Sequence, residues 1–276
     1  MPELPEVETV KRTLQQLVKD KKIIEVYVTW PKMIKRPDDV EEFKHKLIGQ
    51  TFRDIARRGK FLLFRLDDYT LVSHLRMEGR YGIFSPEEPP DKHTHVRFLL
   101  DSGEELRYGD VRKFGTMHLF LKGEEEKHLP LSQLGIEPFS DEYTMDRLGA
   151  LLSKTTRKIK PTLLDQTLLV GLGNIYVDEA LFRAHIHPEK LSNELTPEER
   201  KRLYQSIKET LGEAVEMGGS SIKSYVNGQG EMGMFQQTLF VYGRQGAACK
   251  NCGTEIQRSV VGGRGTHTCS QCQPFR

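Results

Sequence analysis

Apolar positions near the start of the chain recur at helical spacing. Val7, Val10, Leu14, Leu17 and Val18 fall on one stripe, Pro5 sits in the tolerated first turn, and acids lie at the positive end of the helix dipole. The spacing therefore predicts a helix over 3–19. From Ile23 to Leu121 the pattern changes to short runs rich in Val, Ile, Phe, Tyr and Leu, at 23–30, 50–57, 60–67, 70–76, 79–84, 94–101, 104–109 and 115–121, divided by Gly, Asp and Pro. That spacing predicts a β-sandwich or flattened barrel, with a short helix at 39–47. After GEEEKHLPLSQLGIEPFS the helical texture returns at 142–153, 157–167, 174–184 and 196–217, the last opened by Thr196 as N-cap and Pro197 at the first helical position. A boundary is predicted near Gly135–Pro138. The glycine-rich stretch 217–235 has no sustained period and is predicted to be a mobile loop, and the tail from 238 reads as strand, turn, strand. The pattern as a whole is α+β, divided as 1–136, 137–237 and 238–276, with no internal repeat.

A length of 276 residues with 37% hydrophobic positions supports a core in each of two domains and argues against disorder. The longest apolar runs, such as Phe61–Phe64 and Leu168–Val170, are far short of the roughly 20 residues a spanning helix needs. The opening MPELPEVETV carries acids where a secretory leader has a basic region and an apolar core, so a cytoplasmic location is expected. Forty-one basic against 39 acidic residues, a formal charge of +2, select no partner by themselves. Their distribution does more. Basic residues cluster at 53–60, at Lys154, Arg157, Lys158 and Lys160, and again beyond Thr238, a pattern suited to one surface that tracks phosphates or to solvated faces.

All four cysteines lie after residue 248, as Cys249-Lys-Asn-Cys252 and Cys269-Ser-Gln-Cys272 with 16 residues between the pairs. Two such knuckles suit tetrahedral zinc, and a small hairpin with little core needs a staple of that kind. Because four thiolates fill the coordination sphere, one structural Zn2+ is expected, with no open position for a catalytic water. Between the knuckles lie Arg258 and the turn Gly262-Gly263-Arg264-Gly265, which would present an arginine at a hairpin tip.

The amino terminus carries the candidate chemistry. Proline at position 2 favours removal of Met1, which leaves a secondary amine at a helix start. An α-amino group titrates at about 7.7–8.0, and the helix dipole lowers it further, so a neutral nucleophilic fraction exists at pH 7. Attack by such an amine on an aldehyde-like carbon forms a charged iminium, an electron sink for elimination. Glu3 and Glu6 are spaced to move protons there, although acids in a first helical turn are equally ordinary dipole partners.

PELPEVETV at the start, RRGK at 57–60, SHLRMEGR at 73–80, DVRKFGT at 110–116, LLDQ with GLGNIYVDEALFRA at 163–184, QTLFVYGR at 237–244 and the four-cysteine tail together resemble the bacterial formamidopyrimidine-DNA glycosylases, in order and over essentially the whole chain. The resemblance implies an N-terminal β-sandwich flanked by helices, a helix–two-turn–helix domain and a C-terminal zinc finger. It implies a monomeric repair enzyme that excises oxidised purines from duplex DNA and cleaves the strand. By the same resemblance Pro2 is the nucleophile, Glu3 helps to open the sugar ring, Glu6 assists proton movement, Lys60 contacts the lesion's phosphate or moves a proton, and Arg264 holds phosphates around the extruded nucleotide. Met77, Arg112 and Phe114 match a wedge that fills the vacated stack. Asn174, at the start of a helix after Gly171-Leu172-Gly173, is expected to grip phosphate, and DNA contacts are further expected at His74, Lys160, Tyr242 and Arg258. Glu78, Ser220 and Ser224 are candidates for reading the damaged base, the two serines from a glycine-rich capping loop.

Two other readings share these residues. An endonuclease VIII-like enzyme for oxidised pyrimidines has the same Pro2, Glu3 and finger, but its start typically has glycine where this chain has Leu4, and the complete Met77, Arg112 and Phe114 set favours the purine enzyme. A zinc-stapled duplex binder without catalysis would not need Pro2, Glu3 and Lys60.

Overall fold

The computed structural model describes residues 1–220 and 233–275. The chain divides into two units, Met1–Gln133 with Gly218–Met234, and Leu134–Met217 with Phe235–Arg276.

In the first unit, α1 (Leu4–Val18) is followed by β1 (Ile23–Val28), β2 (Ile34–Arg36), α2 (Val40–Leu47), β3 (Asp54–Arg58), β4 (Phe61–Arg65), β5 (Tyr69–His74), β6 (Arg80–Phe84), β7 (Thr94–Leu100), β8 (Glu105–Gly109) and β9 (Thr116–Leu121). The strands form two sheets, in the orders β1-β7-β8-β6 and β2-β9-β5-β4-β3. All pairings are antiparallel except β2 with β9. The sequence pattern misses β2, because three residues of Ile-Lys-Arg are too short to show alternation. Val7, Val10, Leu14 and Val18 of α1 are buried as the stripe predicts, and they join Phe52, Phe64 and Phe98 in one core that draws on both sheets. Phe52 meets Phe64 and Phe98 at ring separations of 5.7 and 6.3 Å.

Topology settles where two loops emerge. The loop after β5 crosses from the second sheet to the first, and the loop after β8 crosses back to β9. Because β5 pairs with β9 (His74 opposite Thr116) and β6 with β8 (Arg80 opposite Gly109), both crossings occur at the same end of the sandwich. Met77 rides on one crossing and Phe114 on the other.

The second unit holds α3 (Met145–Ser153), α4 (Ile159–Leu164), α5 (Asn174–Arg183) and α6 (Pro197–Glu216), then a hairpin of β10 (Gln257–Val261) and β11 (Arg264–Thr268). The predicted N-cap of α6 is present: the Thr196 hydroxyl accepts from the Glu199 N–H at 3.2 Å, and the Glu199 carboxylate accepts from the Thr196 N–H at 2.8 Å. Helix α4 is shorter than the expected 157–167, because the Asp165 carboxylate accepts from the Thr167 N–H and hydroxyl and ends the helix in a turn.

The tail departs from expectation. No strand starts at 238; the chain turns through the first cysteine knuckle, and strand structure begins only at Gln257. Contacts along the chain place the first boundary after Gln133 and group Gly218–Met234 with the first unit. The cysteine hairpin is not a body apart, since Phe182 of α5 shares one small core with Val241, Cys249, Ile256 and Cys269.

Candidate active site and nucleic-acid interface

At the start of α1, Pro2, Glu3 and Glu6 are all buried. Glu3 stands at the N-cap, and its backbone N–H donates to Glu6 Oε2 at 2.7 Å. The other oxygen, Glu6 Oε1, accepts from the Ser220 N–H at 2.8 Å. Glu6 therefore ties the helix start to the foot of the glycine-rich segment. Gly219 is required there: its φ is +79°, and a Cβ would lie 2.7 Å from Glu6 Oε1. Ser220 is buried, with its amide committed to Glu6; Ser224 lies outside the described residues.

Lys60 is buried in the turn joining β3 to β4, with Gly59 at φ +56°. Arg57 braces that turn, donating Nη1 to the Gly59 carbonyl at 2.9 Å and Nε to Glu8 at 3.0 Å. His74, at the end of β5, is buried with its ring edge-on to Phe61. Burial, aided by the charges of Arg76 and Lys60, pushes its pKa down to about 3, so it is neutral at pH 7. Nδ1 accepts from the Arg76 N–H at 2.9 Å, which places the ring proton on Nε2.

The three wedge candidates are exposed: Met77 by 40%, Phe114 by 52%, and Arg112 with its guanidinium 4.9 Å from the Phe114 ring centre. These large side chains are on the surface and not in the core. Glu78, beside Met77, is half-buried. The residue that shapes the second loop was not singled out from sequence. Buried Asp110 accepts from the Arg112 N–H at 3.0 Å and the Gly115 N–H at 2.8 Å, curling 110–115 so that Arg112, Lys113 and Phe114 face outward. An aspartate two and five residues before the amides it binds is an Asx-turn signal that DVRKFG carries. Gly115 has no room for a Cβ, which would lie 1.8 Å from the Tyr108 hydroxyl. A cavity of about 640 Å³ adjoins the wedge, lined among others by Trp30, Lys32, Lys35 and Lys113. Lys113 Nζ stands 4.1 Å from the Trp30 ring centre.

In the second unit the cysteine sulfurs all lie within 4.8 Å of one another, with Cys249 and Cys272 at 3.9 Å and Cys252 and Cys269 at 3.4 Å. Ligands at Zn–S of about 2.3 Å in a tetrahedron stand about 3.8 Å apart, whereas disulfide sulfurs are bonded at about 2.0 Å, so the spacing fits a metal and not two disulfides. Gly262 and Gly263, at φ +57° and +73°, make the two-residue turn of the hairpin, and Arg264 follows it fully on the surface, as does Arg258 from β10.

Asn174 is the first residue of α5, after Gly173 at the N-cap, and its Nδ2 donates to the Gly265 carbonyl at 2.8 Å. Tyr242 is half-buried, its ring edge-on to His267. Segment 240–242 is moored by buried Glu179, whose carboxylate accepts three backbone N–H groups at 2.9 Å. Lys160 is a correction. Expected at a phosphate, it is fully buried, with Nζ 2.6 Å from Asp178 Oδ1, and its charge is spent inside the protein.

Among the described residues no helix is long and apolar enough to cross a membrane. Three family models match the chain: the formamidopyrimidine-DNA glycosylase N-terminal domain over 1–117, the helix–two-turn–helix domain of the same glycosylases over 134–226, and a zinc finger found in these enzymes and in isoleucyl-tRNA synthetases over 246–274. A formamidopyrimidine-DNA glycosylase of Halalkalibacterium halodurans is 67% identical over 273 residues, covering 99% of this chain and 100% of the relative. The Lactococcus lactis enzyme in complex with abasic-site DNA superposes with a TM-score of 0.93 at 44% identity, over 99% of this chain and 100% of that one. The same enzyme bound to N7-benzyl-Fapy-dG DNA also gives 0.93, at the same identity and coverage. With the family model and the sulfur cluster in agreement, Cys249, Cys252, Cys269 and Cys272 hold one structural zinc.

Proposed function

The chain belongs to the formamidopyrimidine-DNA glycosylase family, and on that premise we propose how its own residues carry out excision of oxidised purines, formamidopyrimidines and 8-oxoguanine among them, from duplex DNA. The reaction is base excision followed by strand cleavage at the deglycosylated sugar. The observation that carries the residue assignment is the buried start of α1, where Pro2 directly precedes Glu3 and the Glu3 backbone N–H is held by the carboxylate of Glu6.

With Met1 removed, the neutral Pro2 nitrogen attacks the sugar C1′ as the glycosidic bond breaks, and the proton that the amine gives up passes by way of Glu6 to the departing base. Glu3 protonates the ring oxygen as the sugar opens, and the nitrogen lone pair forms the charged imine. That cation acidifies the neighbouring C–H, so loss of its proton expels the 3′ phosphate, and a second elimination expels the 5′ phosphate. Water then releases the sugar fragment from Pro2. Glu6 holds the helix start in place and shuttles protons, while Lys60 and the His74 Nε2–H face the phosphate flanking the lesion.

Reaching C1′ requires the nucleotide to leave the stack, and Met77, Arg112 and Phe114 occupy the gap: the thioether and ring replace stacking, and the guanidinium bonds the widowed partner base. Asn174, Tyr242, Arg258 and Arg264 bind backbone, and the 217–235 segment, with Ser220, Ser224 and Glu78, covers the extruded base. Because its substrate is duplex DNA and its relatives are bacterial, we place the chain in the bacterial cytoplasm, acting as a monomer.

The test is borohydride trapping on duplexes containing 8-oxoguanine or an oxidised pyrimidine. A covalent adduct mapped to the N-terminal peptide, formed faster on the purine lesion, is expected. An adduct on a lysine removes Pro2 from its role, preference for the pyrimidine supports the endonuclease VIII-like reading, and binding without any adduct supports a non-catalytic binder.

A further inference from the structure

Lys160 and Asp178 are each 0% exposed, and the proposed reaction uses neither. The ammonium of Lys160 donates to Asp178 Oδ1 at 2.6 Å, to the Gly265 carbonyl at 3.0 Å and to Thr266 Oγ1 at 2.8 Å, which engages all three of its protons. Asp178 Oδ2 accepts from the His267 N–H at 2.9 Å and stands 3.3 Å from the His267 Nδ1. Thr266 Oγ1 in turn donates to the Arg264 carbonyl at 2.9 Å. Every peptide from Arg264 to His267 is thus bonded to this pair or to a group the pair holds. The Gly265 carbonyl also accepts the Asn174 amide at 2.8 Å, so it joins the start of α5 to the turn bearing Arg264. Gly262, at the tip, packs against Pro161, the neighbour of Lys160, closely enough that a Cβ would lie 2.7 Å from its Cγ.

Zinc alone cannot set this register. Cys269 lies five residues beyond Arg264, roughly 16 Å along an extended strand, and because strand twist is largest in two-stranded ribbons, a metal at one end leaves the direction of the tip loosely set. We propose that the buried Lys160–Asp178 pair is the positioning device of the phosphate-binding face, seating Asn174 and the Arg264 turn on the one Gly265 carbonyl so that they act as a single clamp. The inference rests on the duplex-binding reading above. Lys160 then acts one step removed from DNA, and Asp178 fixes the direction in which Lys160 points. A cation placed by three fixed acceptors specifies direction as well as distance, which an apolar pair of equal volume does not.

The test uses the full zinc-loaded chain and a duplex with a tetrahydrofuran abasic analogue, with affinity measured across a salt series. Lys160→Met with Asp178→Leu removes both charges together, so neither is left stranded. This variant is expected to keep one zinc and a cooperative thermal transition, to bind at least about 10-fold more weakly, and to lose about one unit of salt slope as Arg264 leaves its phosphate. On an Arg264→Ala background the same pair of changes should cost less than about 2-fold, because the clamp is already broken. Thr266→Val, which leaves the ion pair in place, should shift affinity and slope in the same direction by a smaller amount. Wild-type affinity and slope in the paired variant, full additivity with Arg264→Ala, or loss of zinc and of cooperative unfolding each overturn the proposal. The last outcome would make the pair a general folding determinant. Failure of the wild type itself to bind the abasic duplex would remove the duplex-binding reading, whereas normal wild-type binding beside unaffected variants overturns the inference alone.

Discussion

The sandwich and the cysteine hairpin hold functional side chains by opposite means. In the sandwich, a core running from Val7 through Phe52 and Phe98 to Leu119 is large enough that helix α1 and the two crossing loops are positioned by apolar burial, with Asp110 and Glu6 adding local hydrogen bonds. The hairpin has little apolar surface to bury: Gln257, Arg258, Ser259 and Val260 are all exposed, most of what β11 buries is polar (Thr266, His267 and Thr268), and the small apolar cluster is Val241, Ile256 and two cysteines against Phe182. A metal and an ion pair take the place of the missing core. A large core tolerates charged residues at its margin, while a small one must use bonds with direction.

The largest effect separates chemistry from binding within the sandwich. Pro2→Gly replaces the secondary amine with a primary one, and borohydride trapping and excision of 8-oxoguanine should fall on the order of 100-fold or more, with unchanged affinity for an abasic-analogue duplex. A matching loss of affinity would mean that the change disturbs the buried helix start and not the nucleophile. Zinc withdrawal is the sharpest break between the regions. Structural zinc sites of this kind contribute on the order of 10 kcal/mol, so chelation or Cys252→Ser should eliminate specific duplex binding while the unfolding transition of the sandwich persists. One cooperative transition lost as a whole would show that the two regions do not differ in the way described.

Phe114→Ala comes next. Unstacking a step costs a few kcal/mol, and loss of the ring should slow excision of 8-oxoguanine opposite cytosine roughly 10-fold to 100-fold while sparing non-specific affinity and cleavage of a preformed abasic site. Since Phe114 is 52% exposed, its melting temperature should be nearly unchanged. Uniform losses on all three substrates would mean that Phe114 acts on duplex binding as a whole and not on base extrusion.

His74 supplies a smaller, pH-dependent effect. Its folded pKa is held at about 3 by burial, then by Arg76 and Lys60, against about 6.5 when unfolded. Between those values the unfolded chain binds the extra proton. The stabilisation is therefore complete above pH 6.5 and is lost as pH falls toward 3, by up to about 1.4 kcal/mol per unit. Urea unfolding at pH 7 and pH 5 should show His74→Gln relieving about 2 kcal/mol of the acid-induced loss, and identical pH slopes would contradict it. The smallest effect lies on the exposed face of α2: Lys44→Ala, which removes the 2.8 Å contact with Glu41, should change stability by less than about 0.5 kcal/mol in the same titrations.

Local signals were legible where one residue's neighbours in sequence are also its neighbours in space. The α1 stripe, the Thr196 cap and the Gly262-Gly263 turn all depend on separations of four residues or fewer, and each stands as read; the cysteines add two C-x2-C pairs whose own spacing is equally short, although the pairs meet across 17 and 23 positions. Reading failed where a short element gains its stability from a distant partner. Strand β2 exists because it lies beside β9, more than 80 positions away, and residues 238–256 forgo a strand because the knuckle turns them.

The contrast is clearest in the basic residues. By itself the sequence determined that four thiols would meet, that a helix would begin at the amino terminus with acids in its first turn, and that Met77, Arg112 and Phe114 match one set in the family the chain resembles. Which lysines face outward was beyond it, since Lys158 and Lys160 look alike in a string of letters. Tertiary structure decided that Lys158 reaches the surface and that Lys160 turns inward to Asp178, Gly265 and Thr266, two of which lie more than 100 residues away. The reason is physical: a charge is buried only where opposing groups from separate segments arrive together, and that meeting is a property of the assembled fold.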